Sequence, residues 1–159
     1  MKKIFPILAL LAVLCSSCKK DNWLDWKTQN ELYLEQLVKS DTTGMYQKTA
    51  SGLVYRIEYP GIPTDVRPSG ASTVYVDYTG WLINGYQFDQ ATYSSLAVSQ
   101  VVAGFAEGIK KIRNQGDIWL YIPWDLAYGE EGTGTEGGSG YIPPYSTLIF
   151  QIHLCAVTN

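Results

Sequence analysis

Between residues 73 and 154 the hydrophobic period switches from two to helical spacing and back once, and this limits the fold more than any other feature. Val74, Val76 and Tyr78 alternate with polar neighbours, as do Ile118, Leu120 and Ile122, and then Leu148, Phe150, Ile152 and Leu154. That spacing puts one face of a strand against a core. Between the first two sets, Phe105, Ile109 and Ile112 recur four and three residues apart, which predicts an amphipathic helix over residues 102–114 stopped by Gly116. Asn84-Gly85 closes the first alternating run and is a strong short hairpin signal. Strands, one helix, then strands again describe an α+β domain with an antiparallel sheet wrapped on one helix. Upstream, residues 52–59 read as a first strand stopped by Pro60-Gly61. Residues 30–39 carry Leu34, Leu37 and Val38 at helical spacing, with Asn30 as the N-cap, while residues 19–29 lack a clear period and read as a tether. No internal repeat is visible.

The first residues read as a targeting segment. Lys2 and Lys3 precede an apolar run of 11 residues at 4–14, too short to span a membrane as a helix but suited to the core of a secretory signal. Cys15-Ser16-Ser17-Cys18 follows, and a small residue directly before a cysteine resembles the bacterial lipoprotein processing site. On that reading residues 1–17 are the signal, Cys18 carries the lipid, and Cys15, standing where leucine is usual, leaves with the signal. The other reading is an ordinary secretory signal cleaved nearby. If cleavage precedes Cys18, Cys155 is the one thiol left inside the fold and has no internal disulfide partner, so packing alone holds the fold.

Composition then removes whole classes of chemistry. A chain of 159 residues that is 46% hydrophobic and 17% charged is one ordinary globular domain and not a disordered segment. A net charge of -3 and a pI near 5.1 speak against nucleic acid as a partner. Three cysteines and one histidine leave little room for a zinc site or a thiol–imidazole enzyme. Gly132-Thr133-Gly134-Thr135-Glu136-Gly137 matches the spacing of a dinucleotide fingerprint, yet no strand precedes it and Pro143-Pro144 follows, so it reads as a loop. Glu130, Glu131 and Glu136 lack the alternation of a calcium loop. His153 falls on the opposite strand face from Phe150 and Ile152, which makes it a surface or edge residue. What remains is a set of apolar side chains around one carboxylate: Tyr78, Phe88, Asp89, Phe105, Tyr128, Ile142 and Phe150. The residues alone admit two readings, ordinary core or an apolar pocket with a few polar groups at its rim.

Five ordered blocks carry a resemblance. They are Val76-Asp77-Tyr78-Thr79-Gly80-Trp81-Leu82; Gly85 with Phe88-Asp89; Ser99-Gln100-Val101-Val102-Ala103-Gly104-Phe105-Ala106-Glu107-Gly108; Ala127-Tyr128-Gly129; and Ile142-Pro143-Pro144 ahead of Leu148-Ile149-Phe150. Together they resemble the FKBP-type peptidyl-prolyl cis-trans isomerases over residues 53–157. The resemblance implies a five- or six-stranded antiparallel half-barrel around the helix, with residues 53–159 as the isomerase domain and 18–52 as a tether and short helix. It implies catalytic roles for Tyr78, Asp89, Tyr128 and Phe105, the last at a pocket floor where tryptophan is common. Phe88, Leu96, Val101, Val102, Tyr141, Ile142 and Phe150 would bind substrate, Leu96 standing where many relatives have phenylalanine. Asp89 would accept a hydrogen bond, Tyr128 would donate its hydroxyl, and the Val102 backbone N–H would meet a substrate carbonyl. The implied partners are proline-containing polypeptides, a macrolide inhibitor of the tacrolimus type and, through the lipid, a membrane. No cofactor or metal is implied. The implied location is the cell envelope of a Gram-negative bacterium, at its outer membrane. A non-catalytic proline-binding or chaperone module would use the same pocket.

Overall fold

A computed structural model describes residues 18–158, and the expected signal at 1–17 lies outside the described residues. The elements are helix α1 (Cys18–Lys39), strands β1 (Gln47–Lys48), β2 (Val54–Tyr59), β3 (Thr73–Leu82) and β4 (Gln87–Ala97), helix α2 (Ala103–Ile109), and strands β5 (Gly116–Ile122) and β6 (Leu148–Thr158). All six strands join one antiparallel sheet in the order β1-β2-β5-β6-β3-β4. The chain's last strand therefore lies near the middle, between β5 and β3.

Alternation sorts the side chains between the two faces of this sheet. On the concave face Val74, Val76, Ile118, Leu120, Ile122, Leu148, Ile152 and Leu154 are buried with Phe105, Ile109 and Ile112 from α2 and the turn after it. The helix lies close because residue 104 is glycine: a Cβ there would come within 2.2 Å of Ile122 Cγ2. It is also shorter than the spacing predicts. The helix stops at Ile109, and a turn through Lys110 and Lys111 keeps Ile112 buried without continuing the helix.

The convex face carries a second cluster, in which Leu34 from α1 packs with Val54, Tyr121 and Ile149, flanked by Tyr33, Leu37, Val38, Trp81 and Trp119. The helix near residues 30–39 thus packs on its own domain. It also begins at Cys18, so the stretch read as a tether is helical and Asn30 is mid-helix and not an N-cap. Asn30 is 0% exposed, and its side chain bonds the Trp26 carbonyl and the Thr147 N–H. The period of this helix is hard to see because its inward stripe includes Lys27 and Asn30, which are polar. His153 lies on the convex face, where its Nδ1 is 2.9 Å from Asp117 Oδ1.

Candidate active site

Phe105 enters the concave side from the first turn of α2 and is 3% exposed. Phe150 comes from β6, paired directly with Gly80 of β3 and Leu120 of β5. Its ring meets Phe105 at 5.4 Å and 89°, Phe88 at 5.4 Å and 90°, and Tyr78 at 5.9 Å and 66°. Tyr78 closes the circuit with an edge contact to Phe105 at 6.4 Å. Edge-to-face contacts set the positive rim of one ring on the negative face of the next, so the four rings hold each other's orientation. Gly80 makes this possible, since a Cβ at that position would sit 2.6 Å from Phe88 Cζ and 2.9 Å from Phe150 Cε1.

Two consecutive residues of β4 serve this site, which simple alternation forbids. The pairing between β3 and β4 slips between Gly80↔Asp89 and Trp81↔Gln87, leaving Phe88 as an extra residue. Such a bulge re-aims side chains at a sheet edge. Phe88 thereby packs on the core while Asp89 accepts a hydrogen bond from the Tyr78 hydroxyl at 2.7 Å. Burial and then this hydrogen bond to Asp89 push the Tyr78 phenol well above its ordinary value. Tyr128, 42% exposed, is also pushed up, first by burial and then by the negative charge of Asp89. Both hydroxyls therefore keep their protons throughout the physiological range.

The remaining expected residues lie around this group. Val101 and Val102 follow a single 3-10 turn after β4 and are half-buried against the core; Val102 caps α2, ahead of its hydrogen-bonded ladder. Ile142 is 3% exposed and shares the core with Phe105. Leu96 lies further along β4, opposite Val74, and is half-buried. Tyr141 is set apart from the ring cluster: with Leu82, Asn84, Tyr86, Gly137, Gly138 and Pro143 it lines a neighbouring cleft of about 290 Å³.

The segment from Gly129 to Tyr145 is pinned at both ends. Thr133 and Ile142 exchange backbone hydrogen bonds of 2.9 Å each way, and the Tyr145 N–H donates to the Gly129 carbonyl at 3.0 Å. No helix begins within residues 132–137, so the nucleotide fingerprint lacks its structural context here. Trp26, Ser146 and Tyr145, which support this segment, escaped the sequence reading. Their contacts are long-range, and no local pattern announces them.

Similarity to known proteins agrees with this geometry. The family model described as FKBP-type peptidyl-prolyl cis-trans isomerase matches residues 64–155. The chain is 39% identical over 144 residues to the FKBP-type peptidyl-prolyl cis-trans isomerase FkpA of Buchnera aphidicola, covering 88% of this chain and 54% of that one. It is 40% identical over 112 residues to the outer membrane protein MIP of Legionella longbeachae, covering 67% of this chain and 45% of that one. In three dimensions it is similar to the crystal structure of FkpA from Escherichia coli, with a TM-score of 0.78 and 31% identity over 87% of this chain and 62% of that one. The chain thus spans about half the length of the curated relatives it matches. A cluster of four interlocked rings, a tyrosine–aspartate hydrogen bond at its edge and a family match across that whole region agree on one conclusion: the chain belongs to the FKBP-type peptidyl-prolyl cis-trans isomerase family.

Proposed function

We propose that this chain is a peptidyl-prolyl cis-trans isomerase acting on secreted or envelope proteins, with Phe105 as the pocket floor and Tyr78, Asp89 and Tyr128 as its polar rim. The observation that carries the reading is the ring cluster of Tyr78, Phe88, Phe105 and Phe150 with one charge-assisted hydrogen bond beside it. Rotation about a peptide bond crosses a barrier of about 18–20 kcal/mol because the C–N bond has partial double-bond character. At Xaa-Pro the two isomers lie close in energy, so the exchange is balanced but slow. The twisted amide has lost resonance, and its carbonyl carries less negative charge than the planar form. An apolar pocket therefore favours the twisted species relative to water, which solvates the planar amide better. Each tenfold acceleration requires about 1.4 kcal/mol of stabilisation found only in the twisted state.

In this mechanism the proline ring rests against Phe105, with the Phe88–Phe150 pair as the adjoining wall, which holds one side of the rotating bond. Ile142, Val101, Leu96 and Tyr141 bound the polypeptide around it, and the Val102 N–H donates to a substrate carbonyl. Tyr128 donates its hydroxyl to a second carbonyl. Asp89 fixes Tyr78 and contributes field, and takes no part in proton transfer. The same pocket would take a macrolide of the tacrolimus type.

Residues 53–159 are the isomerase domain on this reading, and residues 1–17 a lipoprotein signal that leaves a lipid on Cys18. Among the described residues no helix is long and apolar enough to cross a membrane, so the lipid would supply the attachment. The likeness to the Legionella outer membrane protein MIP supports an envelope location. Labelling with a radioactive fatty acid should mark the wild type and the Cys15→Ser variant but not Cys18→Ser.

The deciding experiment follows cis-to-trans conversion of a short Xaa-Pro peptide with a soluble form lacking residues 1–18. Acceleration that collapses in Phe105→Ala and weakens in Tyr128→Phe is the expected result, with circular dichroism verifying that both variants fold. A folded wild type that binds the peptide without accelerating its exchange would instead identify a non-catalytic binding module.

A further inference from the structure

Helix α1 presents a single stripe to the rest of the molecule, and its two halves do different things. The later half, at Leu34, Leu37 and Val38, packs on the convex aromatic cluster. The earlier half, at Trp26, Lys27 and Asn30, grips the segment that follows Ile142. Trp26 Nε1 donates to Ser146 Oγ at 3.0 Å, and that hydroxyl donates to the Pro143 carbonyl at 2.8 Å. Asn30 Oδ1 accepts the Thr147 N–H at 2.7 Å, while Asn30 Nδ2 donates to the Trp26 carbonyl at 2.8 Å. Lys27 Nζ sits over the rings of Trp124 and Tyr145, at 4.9 and 5.0 Å. The gripped segment includes Tyr145 in the left-handed region, at φ 58, a conformation that a non-glycine residue keeps only when its surroundings impose it.

This segment is joined to the candidate site at both ends. Pro143 directly follows Ile142, and Tyr145 donates to the carbonyl of Gly129, the residue after Tyr128. A fully buried amide returns little net stability, because its hydrogen bonds replace those it made to water. An apolar side chain would fill the same space; the amide adds direction.

On the isomerase reading given above, we propose that Trp26 and Asn30 are positioning residues: they hold segment 143–147 so that Ile142 and Tyr128 stand at the distance the twisted amide requires. Helix α1 is then a working part of the enzyme, and the N-terminal region that would carry the lipid is mechanically continuous with the wall of the pocket.

The test uses the full chain with Asn30→Leu and with Trp26→Phe, which keeps the ring and loses the N–H. Leu37→Ala, in the later half of the helix, is the control. Turnover of an Xaa-Pro peptide is measured at a temperature where every variant is folded, alongside amide hydrogen exchange. For Asn30→Leu, kcat/KM should fall between about tenfold and a hundredfold, the scale of loss when a reacting group is misplaced by about 1 Å. The loss should appear in kcat with KM little changed. Amides of residues 129–147 should exchange about tenfold faster while those of β5 and β6 keep their rates. Trp26→Phe should show the same pattern more mildly, and adding Ser146→Ala to it should cost nothing further. Leu37→Ala should lower the melting temperature and leave turnover and loop exchange alone. Unchanged turnover and loop exchange in folded Asn30→Leu and Trp26→Phe overturn the proposal, as does an equal loss in Leu37→Ala. A wild type without isomerase activity defeats the isomerase reading separately, and loop exchange then decides alone whether Asn30 orders this segment.

Discussion

Phe150 meets three other rings edge-on, at 66–90°, while the hydrogen bond from Tyr78 to Asp89 lies at the edge of the site. This division sets what a change at Asp89 does. Asn at that position still accepts the Tyr78 hydrogen bond but loses the charge. Charge-assisted hydrogen bonds are roughly twice as strong as neutral ones. The Asp89→Asn variant should therefore lose about three- to tenfold in kcat/KM, or about 0.7–1.4 kcal/mol. Because Tyr78 and Tyr128 are both raised above the ordinary phenol value, neither loses its proton near neutrality. The pH–rate profiles of wild type and variant should both be flat from about pH 6 to 9; a titration in that range seen in the wild type and lost in the variant would mean that Asp89 moves a proton. At this scale the sequence is informative only through the family likeness. Phe88 and Asp89 are adjacent, so alternation alone assigns them to opposite faces, and only the slip in pairing with β3 brings both to the site. No single-residue preference encodes that slip.

Elements were legible where their apolar stripe is pure. The strands β3, β5 and β6 and the position of α2 follow from alternation and from Phe105, Ile109 and Ile112. Helix α1 shows the opposite case, since Lys27 and Asn30 on its inward stripe blur the period and hide its first three turns. The contact between α2 and β5 makes a sharp prediction. A Cβ at residue 104 would press into Ile122 Cγ2, a branch fixed at its own Cβ and unable to swing aside. Gly104→Ala would gain about 1 kcal/mol of helix propensity but lose more to overpacking, which typically costs about 1–3 kcal/mol. The expected net result is a lower urea midpoint and reduced isomerase activity, because Phe105 moves with the helix. A stabilised, fully active Gly104→Ala would show that α2 can drift without cost.

The turn after α1 offers a pH-dependent test at the same scale. Asp41 accepts hydrogen bonds from the Thr43 hydroxyl and the Tyr46 N–H, and these hold its carboxyl down at about 2. A carboxylate depressed in the folded state stabilises it fully above the unfolded pKa, and that contribution disappears as pH falls through the folded value. Thermal melts of wild type and Asp41→Asn should therefore differ most above about pH 4 and converge as pH falls towards 2.

Charge is distributed unevenly over the whole molecule. No lysine or arginine occurs in residues 68–109 or 114–159, the two stretches that supply every residue of the candidate pocket. Eight aspartates and glutamates fall in them, among them Asp89, Glu130, Glu131 and Glu136. Lys110, Lys111 and Arg113 follow the C-terminal end of α2, away from the end that carries Phe105. A peptide with lysines flanking its proline should therefore be turned over faster than an alanine-flanked one in dilute buffer. That advantage should fade as the Debye length shrinks from about 30 Å at 0.01 M to about 3 Å at 1 M salt. Equal rates for the two peptides at low salt would mean that the acidic groups do not reach the bound polypeptide.

The place of β6 also bears on how such a chain is born. Its partners are β5 and, across a long stretch of sequence, β3, where Thr73 pairs with Thr158. Sheets closed by contacts this distant in sequence form slowly, since the intervening chain must first be drawn together. A polypeptide emerging end-first from a ribosome or a membrane pore holds two half-sheets, β1-β2-β5 and β3-β4, with no strand to join them. Until β6 emerges the two halves lack the strand that pairs with both, so the full sheet must wait for the last residues of the domain.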